Sequence, residues 1–178
     1  MFDPLSSTTT GYHLFFEPVS DVESEVSTLI RELSEEYNAP VFPPHVTFLS
    51  RIPADNQESL IQKTAMLANE LSSFTLTLEK FKAENAYFRA LYIQIQEQDK
   101  MLALHKHASN VFSMDANPAY KAHVSLLYGN YPQELKEASM KSLSMPSTRN
   151  FLVNSIHLYR TEGETSDWYR VQEFKFSR

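Results

Sequence analysis

A chain of 178 residues, 42% apolar and 12% aromatic, is long enough for one substantial core or for two small lobes that share one. Having no cysteine excludes a disulfide framework, a thiolate metal site and a cysteine nucleophile, and having three glycines excludes a contiguous glycine-rich phosphate cradle. A net charge of −6 opposes a long nucleic acid, whose affinity comes from many Lys and Arg on phosphates, so a phosphate ligand is expected to be small and held locally.

Residues 1–11 are polar and hydroxyl-rich with Pro4, lack the basic and long apolar regions of a secretory leader, and read as a flexible N-terminal lead-in. Residues 12–178 read as a single domain. Tyr12 to Glu17 is a strand stopped by Pro18. Apolar spacing over Asp21 to Tyr37 predicts an amphipathic helix, with Ser20 or Asp21 as its N-cap. After the Pro40 to Pro44 punctuation come a short strand, His45 to Leu49, and a helix from Asn56 to Leu71. Period-two alternation then predicts strands over Phe74 to Phe81 and Tyr87 to Gln96. A helix over Asp99 to Phe112, a strand over His123 to Tyr128 and a helix over Pro132 to Leu143 follow. Strands near Arg149 to Arg160 and Trp168 to Phe176 close the chain. No apolar run approaches bilayer length, so a soluble, cytoplasmic monomer that avoids the membrane is expected.

Each half of the chain contains one strand that reads small-His-Val-hydroxyl-apolar-Leu: Pro44-His45-Val46-Thr47-Phe48-Leu49 and Ala122-His123-Val124-Ser125-Leu126-Leu127. Residues two apart on a strand project from the same face, about 7 Å apart, so each histidine points the same way as its hydroxyl. Two imidazoles that titrate near neutrality supply a general acid and a general base. Two hydroxyls supply donors for the non-bridging oxygens of a phosphate as its charge redistributes. The set is sufficient for phosphodiester cleavage without a cofactor or metal.

A His-x-Ser/Thr match alone is weak, since six histidines in a hydroxyl-rich chain give roughly one by chance. A third match, His107-Ala108-Ser109, lies on a predicted helix, where its two polar residues point about 200° apart. His13 and His157 lie on strands without such a partner and are read as structural. His105 and His107 lack the i, i+4 spacing of a helical metal site.

Phe42-Pro43-Pro44-His45-Val46-Thr47 and His123-Val124-Ser125-Leu126-Leu127-Tyr128, with support from Tyr87-Phe88-Arg89-Ala90-Leu91, resemble the cyclic phosphodiesterases of the two-histidine phosphoesterase superfamily. The resemblance implies a bilobal α+β fold, with two antiparallel sheets facing across a central cleft and helices outside. It also implies opening of nucleoside 2′,3′-cyclic phosphates to 2′-phosphates, or of ADP-ribose 1″,2″-cyclic phosphate to the 1″-phosphate.

By position, His45 and His123 become the acid–base pair, with His123 the base and His45 the acid, and Thr47 and Ser125 the phosphate ligands. Tyr128, Phe88 and Phe15 become cleft aromatics; Arg89, where plant members can have an uncharged residue, is either a surface charge or, beside a phosphate cleft, a holder of a second anionic group such as a pyrophosphate. A small cyclic phosphate nucleotide is the expected partner. An RNA-end or 2′-5′ phosphodiesterase of the same superfamily and a catalytically silent nucleotide-binding module are the competing readings. The first needs a basic RNA track, and the second does not need a matched acid and base.

Overall fold

A computed structural model describes residues 5–53 and 56–177. Among these described residues, eight strands and four α-helices follow in the order β1 (Tyr12–Phe16), α1 (Ser20–Tyr37), β2 (Val46–Ile52), α2 (Gln57–Glu70), β3 (Phe74–Ala83), β4 (Leu91–Ile95), α3 (Gln98–Val111), β5 (His123–Leu127), α4 (Gln133–Ser142), β6 (Asn150–Val153), β7 (Ser155–Arg160) and β8 (Tyr169–Lys175). The molecule is α+β, as the sequence reading expects.

The strands form one antiparallel eight-stranded sheet, ordered β6-β3-β4-β5-β2-β1-β7-β8, rather than the two separate sheets expected. The two motif strands meet at its centre through a single Cα pair, Val46 with Val124, whereas β1 and β2 share four pairs and β7 and β8 share six. Each side of this narrow seam holds four strands and one motif. The sides are interleaved in sequence, with β1, β2, β7 and β8 on one and β3 to β6 on the other. The C-terminal hairpin completes the sheet beside β1, so neither half of the chain closes a lobe alone.

Alternation divides the strands between two environments. Leu14, Phe16, Val46, Phe48, Val124 and Leu126 join Val22, Val26 and Ile30 of α1 in the main core, all essentially inaccessible. Intervening residues, including His13, Phe15, His45, Thr47, His123 and Ser125, line a cavity instead.

Helix α1 ends on Asn38, which is left-handed at φ 49° and sends its backbone N–H to Ser34 O, but its first turn has no side-chain cap from Ser20 or Asp21. Asn56 caps α2 by accepting from the N–H groups of Glu58 and Ser59. The predicted strand from Tyr87 begins late: Tyr87–Arg89 forms a 3₁₀ turn, whose Tyr87 carbonyl accepts from Gly129 N–H at 2.9 Å. Within the predicted flexible lead-in, Thr9 is buried and pairs with Gly163 through backbone bonds of 3.1 and 3.0 Å, while residues 1–4 lie outside the described residues.

Gly11, at φ +80°, sits so close to β2 that an added Cβ would lie 2.4 Å from Ile52 O. Backbone cannot yield there cheaply, and a left-handed non-glycine residue is itself strained. Gly11→Ala is therefore expected to destabilise the fold by at least about 1–3 kcal/mol, read as a lower urea midpoint with an unchanged m-value.

Candidate active site

Counting outward from the Val46–Val124 pair in an antiparallel ladder sets His45 against Ser125 and Thr47 against His123. Antiparallel pairing relates its strands by a local two-fold axis, so the two motifs present equivalent faces with histidine and hydroxyl positions exchanged. All four side chains line one cavity of about 330 Å³. Phe15, Phe88, Arg89 and Tyr128 line it as well, so all eight residues singled out by the sequence converge.

The histidines are held in matching ways. His45 Nδ1 lies 2.7 Å from Pro43 O, and His123 Nδ1 lies 2.8 Å from Lys121 O, each the carbonyl two residues earlier. A carbonyl can only accept, so Nδ1 carries the proton and neutral Nε2 is left as the acceptor. Phe15 stacks on the His45 ring at 3.9 Å, and Tyr92 meets His123 edge-on at 5.1 Å. Phe42 stacks on Tyr128 at 3.7 Å, and the Tyr128 hydroxyl stands 3.4 Å from His45 Nε2. Burial pushes the Tyr128 phenol up, which keeps it a proton donor.

The two hydroxyls differ. Ser125 Oγ donates to Phe88 O at 2.8 Å, an acceptor supplied by the 3₁₀ turn, whereas Thr47 Oγ1 has no hydrogen-bond partner among the described residues. Thr47 can therefore donate to a ligand without first giving up a bond. Arg89 is committed in part: one terminal nitrogen meets the Glu84 carboxylate at 2.5 Å, and Glu84 also accepts from Tyr92, while the buried Arg89 Nε has no hydrogen-bond partner among the described residues.

Burial lowers the pKa of both motif histidines. For His45 the Pro43 carbonyl and the nearby Glu17 carboxylate work against that fall. His123 is pushed down to about 4, with Arg89 and His45 adding to the effect of burial and the Lys121 carbonyl opposing it. The β1–β2 register explains the inequality. Phe15 lies opposite Thr47 and Phe16 opposite Val46, so the next step brings Glu17 against His45. A carboxylate thus backs His45, while His123 faces the Arg89 guanidinium with the Glu84 carboxylate acting in the opposite sense.

Sequence reasoning missed part of the cavity wall, including His13, Ser50 and Arg51. His13, read as structural, lines the cavity with Phe15, as their shared strand face implied. Trp168, which the sequence leaves open between a cap on the core and part of a cleft rim, lines the cavity 5.7 Å from Phe88 and 6.5 Å from His45. Ser50 and Arg51 reach the wall through an irregularity in β2 that alternation does not anticipate.

His157, by contrast, is held by Ser155 and Glu17, and His105 lies between Phe48 O and Asn117 N, as structural histidines should. Among the described residues, hydroxyls, imidazoles and guanidinium groups line the cavity without a carboxylate, which favours an anionic ligand over a hard cation.

The model for the family described as "Cyclic phosphodiesterase-like protein" matches residues 11–176. A cyclic phosphodiesterase from Arabidopsis thaliana is 24% identical over 159 residues, 86% of this chain and 86% of that protein. Among solved structures, the fold resembles E. coli LigT complexed with 3′-AMP, with a TM-score of 0.60, 12% identity and coverage of 96% of this chain and 99% of that one. It also resembles TT0787 of Thermus thermophilus, with a TM-score of 0.54, 14% identity and coverage of 92% and 97%.

Proposed function

The chain belongs to the cyclic phosphodiesterase-like protein family, and from that premise we propose that it hydrolyses small cyclic phosphates by the paired-histidine acid–base catalysis of the two-histidine phosphoesterases. Nucleoside 2′,3′-cyclic phosphates, opened to 2′-phosphates, and ADP-ribose 1″,2″-cyclic phosphate, opened to the 1″-phosphate, are the substrates. The observation that carries the proposal is the seam, where two His-Val-hydroxyl strands related by a local two-fold axis face a single cavity.

Neutral Nε2 of His123 takes a proton from water as its oxygen attacks phosphorus. Protonated His45 gives a proton to the departing ribose oxygen, and Thr47 donates to a non-bridging oxygen as charge develops there. One P–O bond forms and one breaks, leaving His123 protonated and His45 neutral, and proton exchange with solvent restores both for the next turnover. The division of roles is supported by Glu17, which favours the charged form of His45, and by Arg89 and His45, which disfavour that of His123 against the opposing Glu84 carboxylate.

Initial rates on both cyclic phosphates, with and without a chelator, test the substrate and the independence from metal. Chelator-resistant hydrolysis of at least one is expected, and failure on both removes the proposal.

The pH dependence follows from the same groups. The free enzyme needs His123 neutral and His45 protonated, so kcat/KM rises as His123 loses its proton and falls as His45 loses its own. Both histidines sit below the ordinary 6.5. The maximum in kcat/KM is therefore expected on the acid side of that value, shifted from the near-neutral limbs that two ordinary histidines would give. Bound phosphate favours protonation, so the limbs of kcat should lie at higher pH than those of kcat/KM. Each limb is a macroscopic property of the coupled pair. A kcat/KM profile centred above pH 7 would contradict the buried, neutral resting state.

A further inference from the structure

A second, smaller pocket of about 140 Å³ lies beside the cavity. It shares Thr47, Arg89 and His123 with the cavity and adds His105, Tyr120 and Lys121, whereas His45 and Ser125 line only the larger space among the described residues. The ladder explains the division. His45 stands opposite Ser125 at one end of the seam and Thr47 opposite His123 at the other. The side pocket lies off that second end, where β2 runs on to Leu49 and Ser50 and the chain entering β5 supplies Tyr120 and Lys121.

The wall of this pocket is fixed by neutral hydrogen bonds. His105 Nδ1 donates to Phe48 O at 3.0 Å, its Nε2 accepts from the Asn117 N–H at 3.0 Å, and its ring stacks on Tyr120 at 4.3 Å. The Tyr120 hydroxyl donates to Thr47 O at 2.9 Å, and Gln98 Oε1 accepts from Ala122 N–H at 3.0 Å. The segment from Asn117 to Ala122 is therefore tied to β2 and α3, with the structural His105 as its main tie.

Size and polarity select the occupant. A volume of about 140 Å³ holds several waters but falls well below the ~300 Å³ at which small-molecule sites begin. Ser50, Asn117 and Lys121 offer the polar partners that ordered water needs. The His45 end is aromatic instead, with Phe15 stacked on the ring and the Tyr128 hydroxyl beside it, and suits a sugar. In an in-line displacement the attacking and leaving oxygens lie on opposite sides of phosphorus. With the acid at one end of the seam and the base at the other, attack comes from the side of the small pocket.

We propose that this pocket is the entry route of the nucleophile: it holds water against His123 while the sugar occupies the larger cavity, and the Lys121 side chain sets its width. The inference rests on the reading of the seam as a cyclic phosphate site with His123 as the base.

A small alcohol should then compete with water according to the width of the pocket. Methanol would give its hydroxyl proton to His123 as its oxygen bonds to phosphorus, and the 3′-oxygen would leave with the proton of His45, yielding the methyl ester of the 2′-phosphate. ³¹P NMR of adenosine 2′,3′-cyclic phosphate incubated with the whole chain in water–methanol mixtures reads the ratio of methyl ester to 2′-phosphate. Lys121→Ala and Lys121→Trp lose the same charge and keep the backbone carbonyl that holds His123, but the first widens the pocket and the second plugs it. The ratio is expected to rise about 3-fold or more from the wild-type chain to Lys121→Ala and to fall in Lys121→Trp, whose kcat should drop about 10-fold with KM little changed. General damage to the site lowers both products together and leaves the ratio alone. A ratio in Lys121→Ala no higher than in the wild-type chain, with hydrolysis retained, overturns the route and leaves the catalytic reading standing. No conversion by the wild-type chain overturns that reading and the route with it.

Discussion

Replacing either His45 or His123 with alanine is expected to lower kcat by at least about 100-fold, the scale for losing a general acid or base. KM should change much less, because neither ring has to bind the ground-state phosphate strongly. The losses should not multiply. The two groups serve one displacement, so the double variant should be little worse than the poorer single variant. His45 also packs between Phe15 and the Phe42–Tyr128 stack, and unfolding midpoints separate lost chemistry from lost packing. A substrate with an activated leaving group needs little protonation from the enzyme. It should rescue His45→Ala strongly and His123→Ala weakly, and the reverse pattern would exchange the acid and base roles.

The second large effect is expected at Thr47. Its hydroxyl lines the cavity opposite His123 and has no hydrogen-bond partner among the described residues, so a bound phosphate gains a donor at no cost to another bond. Thr47→Ala should weaken transition-state stabilisation by roughly 2–4 kcal/mol, by analogy with loss of an oxyanion donor. It should appear mainly in kcat. Ser125→Ala should cost less, about 1 kcal/mol, because that hydroxyl already donates to Phe88 O and must leave it to serve a ligand. The ordering is the test. A larger loss at Ser125 would mean that the Phe88 bond opens on binding and that Ser125 is the principal donor.

The site was more legible in the sequence than the sheet that presents it. The motif tripeptides could be paired from residue order alone, because strand alternation fixes which side chains share a face. The helices followed from apolar spacing, as at Val22, Val26 and Ile30. The joining of the sheet was not legible. Pairing of β1 with β7 and of β3 with β6 depends on contacts between distant parts of the chain that leave no local period. A strand read through Tyr87 missed the 3₁₀ turn that supplies the Phe88 carbonyl to Ser125. Arg51 escaped notice for a related reason: a left-handed arginine is an exception forced by packing against Gly11, and alternation does not foresee exceptions. His13 could have been found, since it shares a strand face with Phe15.

The most direct test of the paired-histidine site is ³¹P NMR of adenosine 2′,3′-cyclic phosphate incubated with excess chelator and the wild-type chain, His45→Ala or His123→Ala. The wild-type chain should convert the cyclic resonance to that of the 2′-phosphomonoester, while both variants leave it essentially cyclic over the same period. Conversion by either variant at close to the wild-type rate, or a cyclic resonance that persists with the wild-type chain, would contradict the account.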